Sequence, residues 1–580
     1  MYYTKDHKTG YIFDPWNYLG PKRRKLLEES WAGIFRKDIL NELPVNQIAK
    51  SFSEDEGRPT KEIYTALGVS LLQQMQDFTD DETVNQLAFN EQWHYALDIS
   101  DESDTAKYLC HKTLWNIRQL VTEQELDTVM FQKITDKLAD IFSVDPSKQR
   151  LDSVHIYSNM RHLGRIRIIS NTIHKVLVNL KRQHQEIFDS LPQELVDTYL
   201  SEKALSCFSM VKPSDSQKKL GIVCRELFSL VQKMNAHPEV TDMSSFKLLQ
   251  RVLKEQCTIK EAVDDHPAEV VIKPAKEISS DSLQNSSDPE AGYDGHKGQG
   301  YQAQIMETYI EKEPDQDQEK ALRLITYVKV ESACAHDVHA LIPALEAVKE
   351  RDLKPKQVLA DSLYGSDENL EQAKEMGVEV ISPAMGSYRE DRIPLSDFTF
   401  TGQGEVVYCP QGQTPEKIRR KKDRFRVAFD SKRCALCPLV DHCPARPGKK
   451  HHYLAYEYKT FRLVRRRQEE QTATFKNSYR YRSGVEGAIS TLDRKTGIKH
   501  LRVRGLKAVR YCVNLKAAGV NIFRAAAFKI KEKARLLSQK AGQSSIYNPF
   551  SVVKEQLLRI FGSPVYCWAD DYYKIFNYAA

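Results

Sequence analysis

The stretch 357–370 reads QVLADSLYGSDENL, and its reading decides the fold class. Val358, Leu359 and Ala360 run straight into Asp361, Tyr364-Gly365 turns the chain, and Ser366 sits where a new helix wants its cap. The pattern predicts a buried strand over 357–361 that ends in a carboxylate. In open α/β sheets, ligands gather at the carboxyl ends of strands, so an acid in that place is well set for chemistry. The same acid also suits a turn or a helix cap, which is the commoner use of such a residue.

Working outward, a helix over about 337–351 precedes this strand. Gly377 closes the helix after it, and VEVIS (378–382) makes a further short strand. Upstream, KQRLDSVHIYSNM (148–160), GYQAQIMETY (300–309) and LRLITYVKV (322–330) read as strands rich in β-branched and aromatic residues. Residues 162 to about 260 repeat apolar positions at helical spacing, and 261–292 is polar, acidic and Ser-containing, read as a loop. The order strand, helical insert, strand, strand, helix, strand, helix, strand predicts an α/β sheet with a large insertion. Residues 22–145 read as wholly helical, with a helix within 57–78 and a capping box at Thr122 and Glu125 opening another. Trp93 and Trp115 are read as core.

The bulk numbers fit this plan. A chain of 580 residues exceeds one core and calls for about two to four domains. Hydrophobic content of 41% with 28% charged residues is that of a globular protein. MYYTKDHKTGYIF shows no leader pattern, and no apolar run reaches spanning length, which predicts a cytosolic protein with no membrane partner. Net charge is only +6, but 417–426 (KIRRKKDRFR) holds seven Lys or Arg in ten positions. Arg462, Arg465, Arg466 and Arg467 follow, then Arg480, Arg482, Arg502, Arg504 and Arg510. One such run is usually a solvated face; several, mixed with Tyr and Phe, point to a phosphate-contacting surface.

Of the 11 cysteines, Cys110, Cys207, Cys224, Cys257, Cys334, Cys512 and Cys567 are isolated and read as small core residues. Cys409, Cys434, Cys437 and Cys443 form C-x24-C-x2-C-x5-C, a spacing suited to tetrahedral zinc, with free thiols or substitution by His442, His451 or His452 as alternatives. The glycine-rich GYDGHKGQG (292–300) matches no phosphate loop and reads as a turn. His155 and His162 lack a nucleophile partner and read as structural or DNA-facing.

Asp152 lies inside the first strand, and two acids on neighbouring strands suit a divalent metal through hard oxygen ligands. In FKNSYRYRSGVEGAIS (475–490), Tyr479, Arg482 and Glu486 are spaced for one helix face. A plain surface Arg–Glu pair is the simpler account. Gly484 and Gly487, however, flank Glu486 at a cost in helix stability, which implies that something approaches closely there.

Taken together these stretches resemble the DDE transposases of bacterial insertion sequences. The likeness rests on GRPTKEIYTALGVSLLQQMQDFTDDETVNQLAFNEQWHYALDI (57–99), LDSVHIYSN, DPEAGYDGHKGQGYQAQI (288–305), ADSLYGSDENL and YRYRSGVEGAISTLDRKTGIKHLRVRGLKAV. It implies a ribonuclease H-like α/β catalytic core at 147–161 and 288–526. Within that core lie a helical insertion and acidic linker (162–287) and a Cys-rich basic insertion (385–470). A helical DNA-binding domain (1–146) would precede it and a C-terminal tail (527–580) follow it.

By position, Asp152, Asp361 and Glu486 match the catalytic, Mg²⁺- or Mn²⁺-binding acids. Tyr479 and Arg482 match the Tyr-x2-Arg-x3-Glu pattern. That pattern usually continues with Lys, but this chain has Asp493, followed by Arg494 and Lys495. A four-cysteine insertion holding structural Zn²⁺ also fits the resemblance. DNA contacts are expected from Tyr479, Arg482, Arg494, Lys495, Arg419, Arg420, Lys421, Lys422, Arg502 and Arg504. The activity implied is metal-dependent cleavage at terminal inverted repeats and strand transfer into target DNA. It would be carried out by a homodimer on the DNA, in a bacterial cytoplasm and at the nucleoid. The alternative is an inactive or domesticated derivative that binds DNA as a regulator.

Overall fold

The computed structural model describes residues 2–540 apart from 10, 54–55, 58, 202–210, 262–267, 312–320 and 387–391. Cys207, Cys567 and the stretch 541–580 of the expected tail lie outside the described residues. The expected sheet is present. Its strands are β1 (Lys148–Tyr157), β2 (Gly292–Asp294), β3 (Gly298–Thr308), β4 (Ile325–Ser332), β5 (Gln357–Leu359) and β6 (Glu379–Ile381). β1 pairs antiparallel with β3, which pairs antiparallel with β4 and with the short β2. On its other side β1 runs parallel to β5, and β5 parallel to β6.

The flanking helices are α1 (Ile63–Gln76), α2 (Leu126–Ile141), α3 (Leu341–Lys349), α4 (Asp367–Glu375), α5 (Gly484–Thr496) and the long α6 (Leu506–Lys540). One apolar core joins Leu151, Ile305 and Val358 of the sheet, Leu67 and Leu71 of α1, Ile134 of α2 and Val513 and Val520 of α6. The helical N-terminal region is therefore packed onto the sheet through α6. Polar contacts fix the seam: buried Asp127 accepts from Arg510 at 3.2 Å and from Asn514 at 2.8 Å. Because α6 runs unbroken past 526, no boundary falls at the expected start of the tail.

The insertion has its own core, built on helices Arg165–Gln183, Ser216–Met234 and Ser244–Gln256. Part of the expected 261–292 loop is instead a hairpin of Cys257–Lys260 with Glu269–Ile272. A second insertion forms a four-stranded sheet of β7 (Lys417–Lys421), β8 (Arg424–Asp430), β9 (Arg446–Pro447) and β10 (His451–Glu457), in the order β7-β8-β10-β9.

Several local expectations are corrected. The Thr122–Glu125 capping box does not form. Thr122 bonds back to the Arg118 carbonyl, and Glu125, at φ 56°, pairs with Arg510. The box that does form is Thr79 with Glu82, opening the helix Asp80–Phe89. Trp93 is buried, but Trp115 is 46% exposed, with the Lys112 ammonium 4.1 Å from its ring centre. Cys110 is exposed, whereas Cys224, Cys257 and Cys512 are buried as expected.

Candidate active site

Asp152 stands midway along β1, and Asp361 follows β5 by two residues. Ser366 caps α4 through Asn369 N at 3.2 Å, so strand, acid, turn and helix follow as the sequence implies. Asp361 also caps the 3₁₀ turn Ser362–Tyr364, accepting from Ser362 N at 2.6 Å. Its use as a turn former and its place at the site are thus compatible.

The Tyr–Arg–Glu segment differs from one continuous helix face. Tyr479 ends a helix of Ala473–Tyr479, Arg480–Ser483 is a 3₁₀ turn, and Glu486 lies in the first turn of α5. The break follows from Arg150, a buried residue of β1 on the same face as Asp152. Arg150 donates Nε to Glu307 of β3 at 2.7 Å and Nη1 to the Tyr481 carbonyl at 2.8 Å, and Arg524 of α6 donates to the same Glu307 at 3.0 Å. A Cβ on Gly484 would meet Arg150 Nη1 at 2.0 Å. That is the close approach the glycine implied. Gly487 has nothing within 4 Å, so the same inference fails there.

The result is a convergence on one guanidinium. Arg482 Nη2 lies 2.9 Å from Asp152 Oδ2 and 3.7 Å from Asp361 Oδ2, and Nη1 lies 3.3 Å from Glu486 Oε1. Burial raises the Asp152 carboxyl above its usual value; Arg482 and the Ser153 N–H pull against that, and Asp361 and Asp337 add to it. Burial opposes the charge on Arg482, but the surrounding acids raise it overall. Tyr479 is raised by burial, so it remains a neutral phenol. Asp337 went unnoticed in the sequence. It meets Ser153 Oγ at 3.4 Å and Gln304 Nε2 at 2.8 Å, while Tyr364 donates to the same Gln304 at 2.6 Å.

Among the described residues, no group of three or more His, Cys, Asp or Glu is arranged to hold a metal ion. The donor chemistry nonetheless suits one: three carboxylates from separate elements already share a cation, and hard oxygens are what Mg²⁺ takes. The four cysteines line a single cavity with Phe398, Phe429 and His452. Burial, then the neighbouring thiols, push Cys434 up to about 11. Gln413 N donates to Cys409 Sγ at 3.4 Å, and Gly412 N to the Cys409 carbonyl at 2.8 Å. That turn suits a thiolate ligand, and four sulfurs in one cavity fit zinc.

The basic residues separate into two groups. Arg419, Lys421, Lys422, Arg494 and Arg504 are exposed, and so are Arg420 and Arg502, although these two are also engaged by neighbouring side chains. Arg420 lies over the Phe425 and Tyr458 rings at 5.2 and 5.6 Å. Lys495 faces the Phe523 ring at 4.7 Å, and burial lowers it to about 8. Arg502 donates to Asp77 at the end of α1.

The run at 462–467, read as a phosphate surface, faces mainly inward. Arg462 pairs with Asp367 at 2.8 Å. Arg466 donates to the Gly365 and Ser382 carbonyls at 2.7 and 3.0 Å, and Arg467 to Gly386 at 3.1 Å. These arginines brace the turn that carries Asp361.

Residues 408–526 match the family model of a transposase DDE domain, and residues 35–120 match that of a transposase domain (DUF772). No curated protein matches the chain. Among solved structures, the piggyBac transposase synaptic complex with hairpin DNA aligns over 95% of this chain and 80% of its own, at 9% identity and a TM-score of 0.27. Among the described residues, no helix is long and apolar enough to cross a membrane.

Proposed function

We propose that this chain, a DDE transposase, cuts DNA at the ends of its own insertion sequence and joins them to target DNA, with Asp152, Asp361 and Glu486 as its catalytic carboxylates. The observation that carries the reading is the meeting of these three acids on Arg482, drawn from a strand, a strand end and a helix far apart in the chain. The sheet order β4-β3-β1-β5-β6, antiparallel on one side of β1 and parallel on the other, supports a ribonuclease H-like core.

Mg²⁺ or Mn²⁺ held by the three acids supplies, when bound, the charge that activates water or a DNA 3′-hydroxyl and stabilises the leaving oxygen. The protein's own groups do the positioning. Arg482 carries a fixed charge with a planar fork of donors suited to phosphate oxygens. Tyr479 keeps its proton and can donate a hydrogen bond beside it. Arg494, Arg504, Arg419, Lys421 and Lys422 are exposed for DNA contacts. Lys495, Arg420 and Arg502 are engaged within the protein, and we leave them out of the DNA face. Cys409, Cys434, Cys437 and Cys443 would hold a structural Zn²⁺ that closes the second insertion. Joining requires two ends at once, so the active form on DNA is a homodimer.

The test is cleavage and joining of a duplex carrying the gene's flanking repeats, with Mg²⁺, by wild type and Asp361→Ala. Wild type should cut and join; the variant should bind the duplex and leave it intact. Cleavage that survives in the variant overturns the assignment. Tight binding without cleavage by wild type favours the regulator.

A further inference from the structure

The sheet of the second insertion has two chemically opposite faces, and its register assigns every side chain to one of them. Directly opposed residues in an antiparallel pair share a face. Ile418, Val427 and Leu454 are opposed in one row, and Arg420, Phe425 and Tyr456 in another. This side closes over Phe398, Phe429 and Phe461 as the insertion's own core. The other face presents Lys421 opposite Arg424 and Glu457, then Arg419 opposite Arg426 and Ala455. Its third row is Lys417 with Ala428, Tyr453 and Arg446. Lys417, Arg419, Lys421, Arg424, Arg426 and Arg446 are all exposed.

Like charges placed directly across a strand pair destabilise a sheet, and here two rows do so, Lys421 with Arg424 and Arg419 with Arg426. Among the described residues, Arg424 is the one of these six cations that gains a carboxylate, Glu457 at 3.3 Å, which Lys459 shares at 3.0 Å; the last row of the face sets Asp430 opposite His451, which pairs with Glu416 at 2.9 Å. Arg426 rests on the Tyr453 ring, 4.1 Å from its centre. The apolar face accounts for the fold of this insertion, but nothing in the fold accounts for the charge on its outer side. A polyanion would offset the cross-strand repulsion. Alternate side chains on a strand stand about 6.6 Å apart, close to twice the roughly 3.4 Å rise per phosphate of one DNA strand. The face lacks Asn, Gln, Ser and Thr, and its cations stand in rows, a layout for following a phosphate backbone rather than reading bases.

We propose that this outer face, with Arg419, Lys421 and Arg426 at its centre, is a sequence-independent platform for the DNA phosphate backbone. The proposal deepens the transposase reading and rests on it for the identity of the polyanion. Arg419 and Lys421 belong to the platform, whereas Arg420, from the same run, faces the other side. A platform of this kind would grip any duplex, the terminal repeats and the target alike.

The experiment measures binding of the full chain to labelled duplexes by fluorescence anisotropy across a salt series, without added divalent metal. One duplex carries the flanking repeats and one is unrelated. Each phosphate contact contributes about 0.9 to the slope of log affinity against log salt. The triple variant Arg419→Gln/Lys421→Gln/Arg426→Gln should therefore lose about 2 to 3 from that slope, equally on both duplexes. Arg419→Lys/Lys421→Arg/Arg426→Lys should retain the slope. Lys218→Gln/Arg225→Gln/Lys247→Gln, a charge-matched control on exposed positions of the helical insertion, should leave it unchanged. An unchanged slope in the first variant overturns the platform. So does a loss confined to the matched duplex, or an equal loss in the control. Failure of the transposase reading would show separately, as absent Mg²⁺-dependent cleavage by wild type with this slope intact.

Discussion

The contact between Gly484 and Arg150 makes a demanding test, because local propensity and tertiary packing predict opposite signs. Gly484 opens α5, where alanine is favoured over glycine by up to about 1 kcal/mol. A methyl group there would lie 2.0 Å from Arg150 Nη1, 2.8 Å from its Cζ and 3.1 Å from Nη2. Arg150 has little room to yield, being buried and bound to Glu307 at 2.7 Å and to the Tyr481 carbonyl at 2.8 Å. Forcing the guanidinium aside forfeits a charged hydrogen bond, about 1.5–3 kcal/mol, and adds an overpacking cost of about 1–3 kcal/mol. Set against the propensity gain, Gly484→Ala should destabilise by about 1.5–5 kcal/mol. Gly487→Ala, with nothing within 4 Å, should instead gain a few tenths to about 1 kcal/mol. Urea unfolding of the two variants beside wild type reads the difference as midpoints moving in opposite directions. Two midpoints that rise together would refute the claim that Arg150 sets the position of the glutamate helix.

Arg466→Ala removes donors to the Gly365 and Ser382 carbonyls. It should slow Mg²⁺-dependent cleavage and leave the salt slope of DNA binding as in wild type; a reduced slope would make Arg466 a phosphate contact after all. His7 faces Asp98 at 3.1 Å and Glu62 at 3.8 Å. Burial works against its charge, yet these acids raise it to about 9 from an ordinary 6.5. The folded value lies above the unfolded one, so this stabilisation is complete below about pH 6.5 and lost as pH rises through about 9; at 1.36 kcal/mol per unit it amounts to about 3 kcal/mol. The urea midpoint of wild type should fall across that window, and His7→Gln should lack that part of the fall. For the cysteine cavity, elemental analysis should find about one zinc per chain. Chelation or Cys437→Ser should remove it and lower the melting temperature; full stability without zinc would return the four cysteines to free thiols.

What could be read from the chain was whatever is encoded within one element. The run into Asp361, the Ser366 cap and the β-branched strand around Asp152 are local signals, and each stands where the sequence implies. The strand–helix alternation likewise yields the sheet, because an apolar strand beside an amphipathic helix has few ways to bury both faces. The capping box at Thr122 failed for a reason local pattern does not hold: Arg510, far along the chain, takes Glu125.

The basic residues show where sequence reading stops. Arg419, Arg420, Arg466 and Lys495 look alike as letters, yet the first is exposed on an open sheet face and the second lies on aromatic rings. The third bonds carbonyls beneath Asp361, and the fourth faces Phe523. In a strand the side chain's face is set by the parity of its position against its partner's register, and that register is a property of two strands, not one. Glu486 is the sharpest case. Its spacing from Arg482 was visible, but the placing of its helix against β1 depends on Arg150, Glu307 and Gly484, three residues on separate elements that acquire meaning only together. The same dependence makes the proposed site testable away from the chemistry, since a methyl group on Gly484 touches none of the three proposed acids and should still move Glu486.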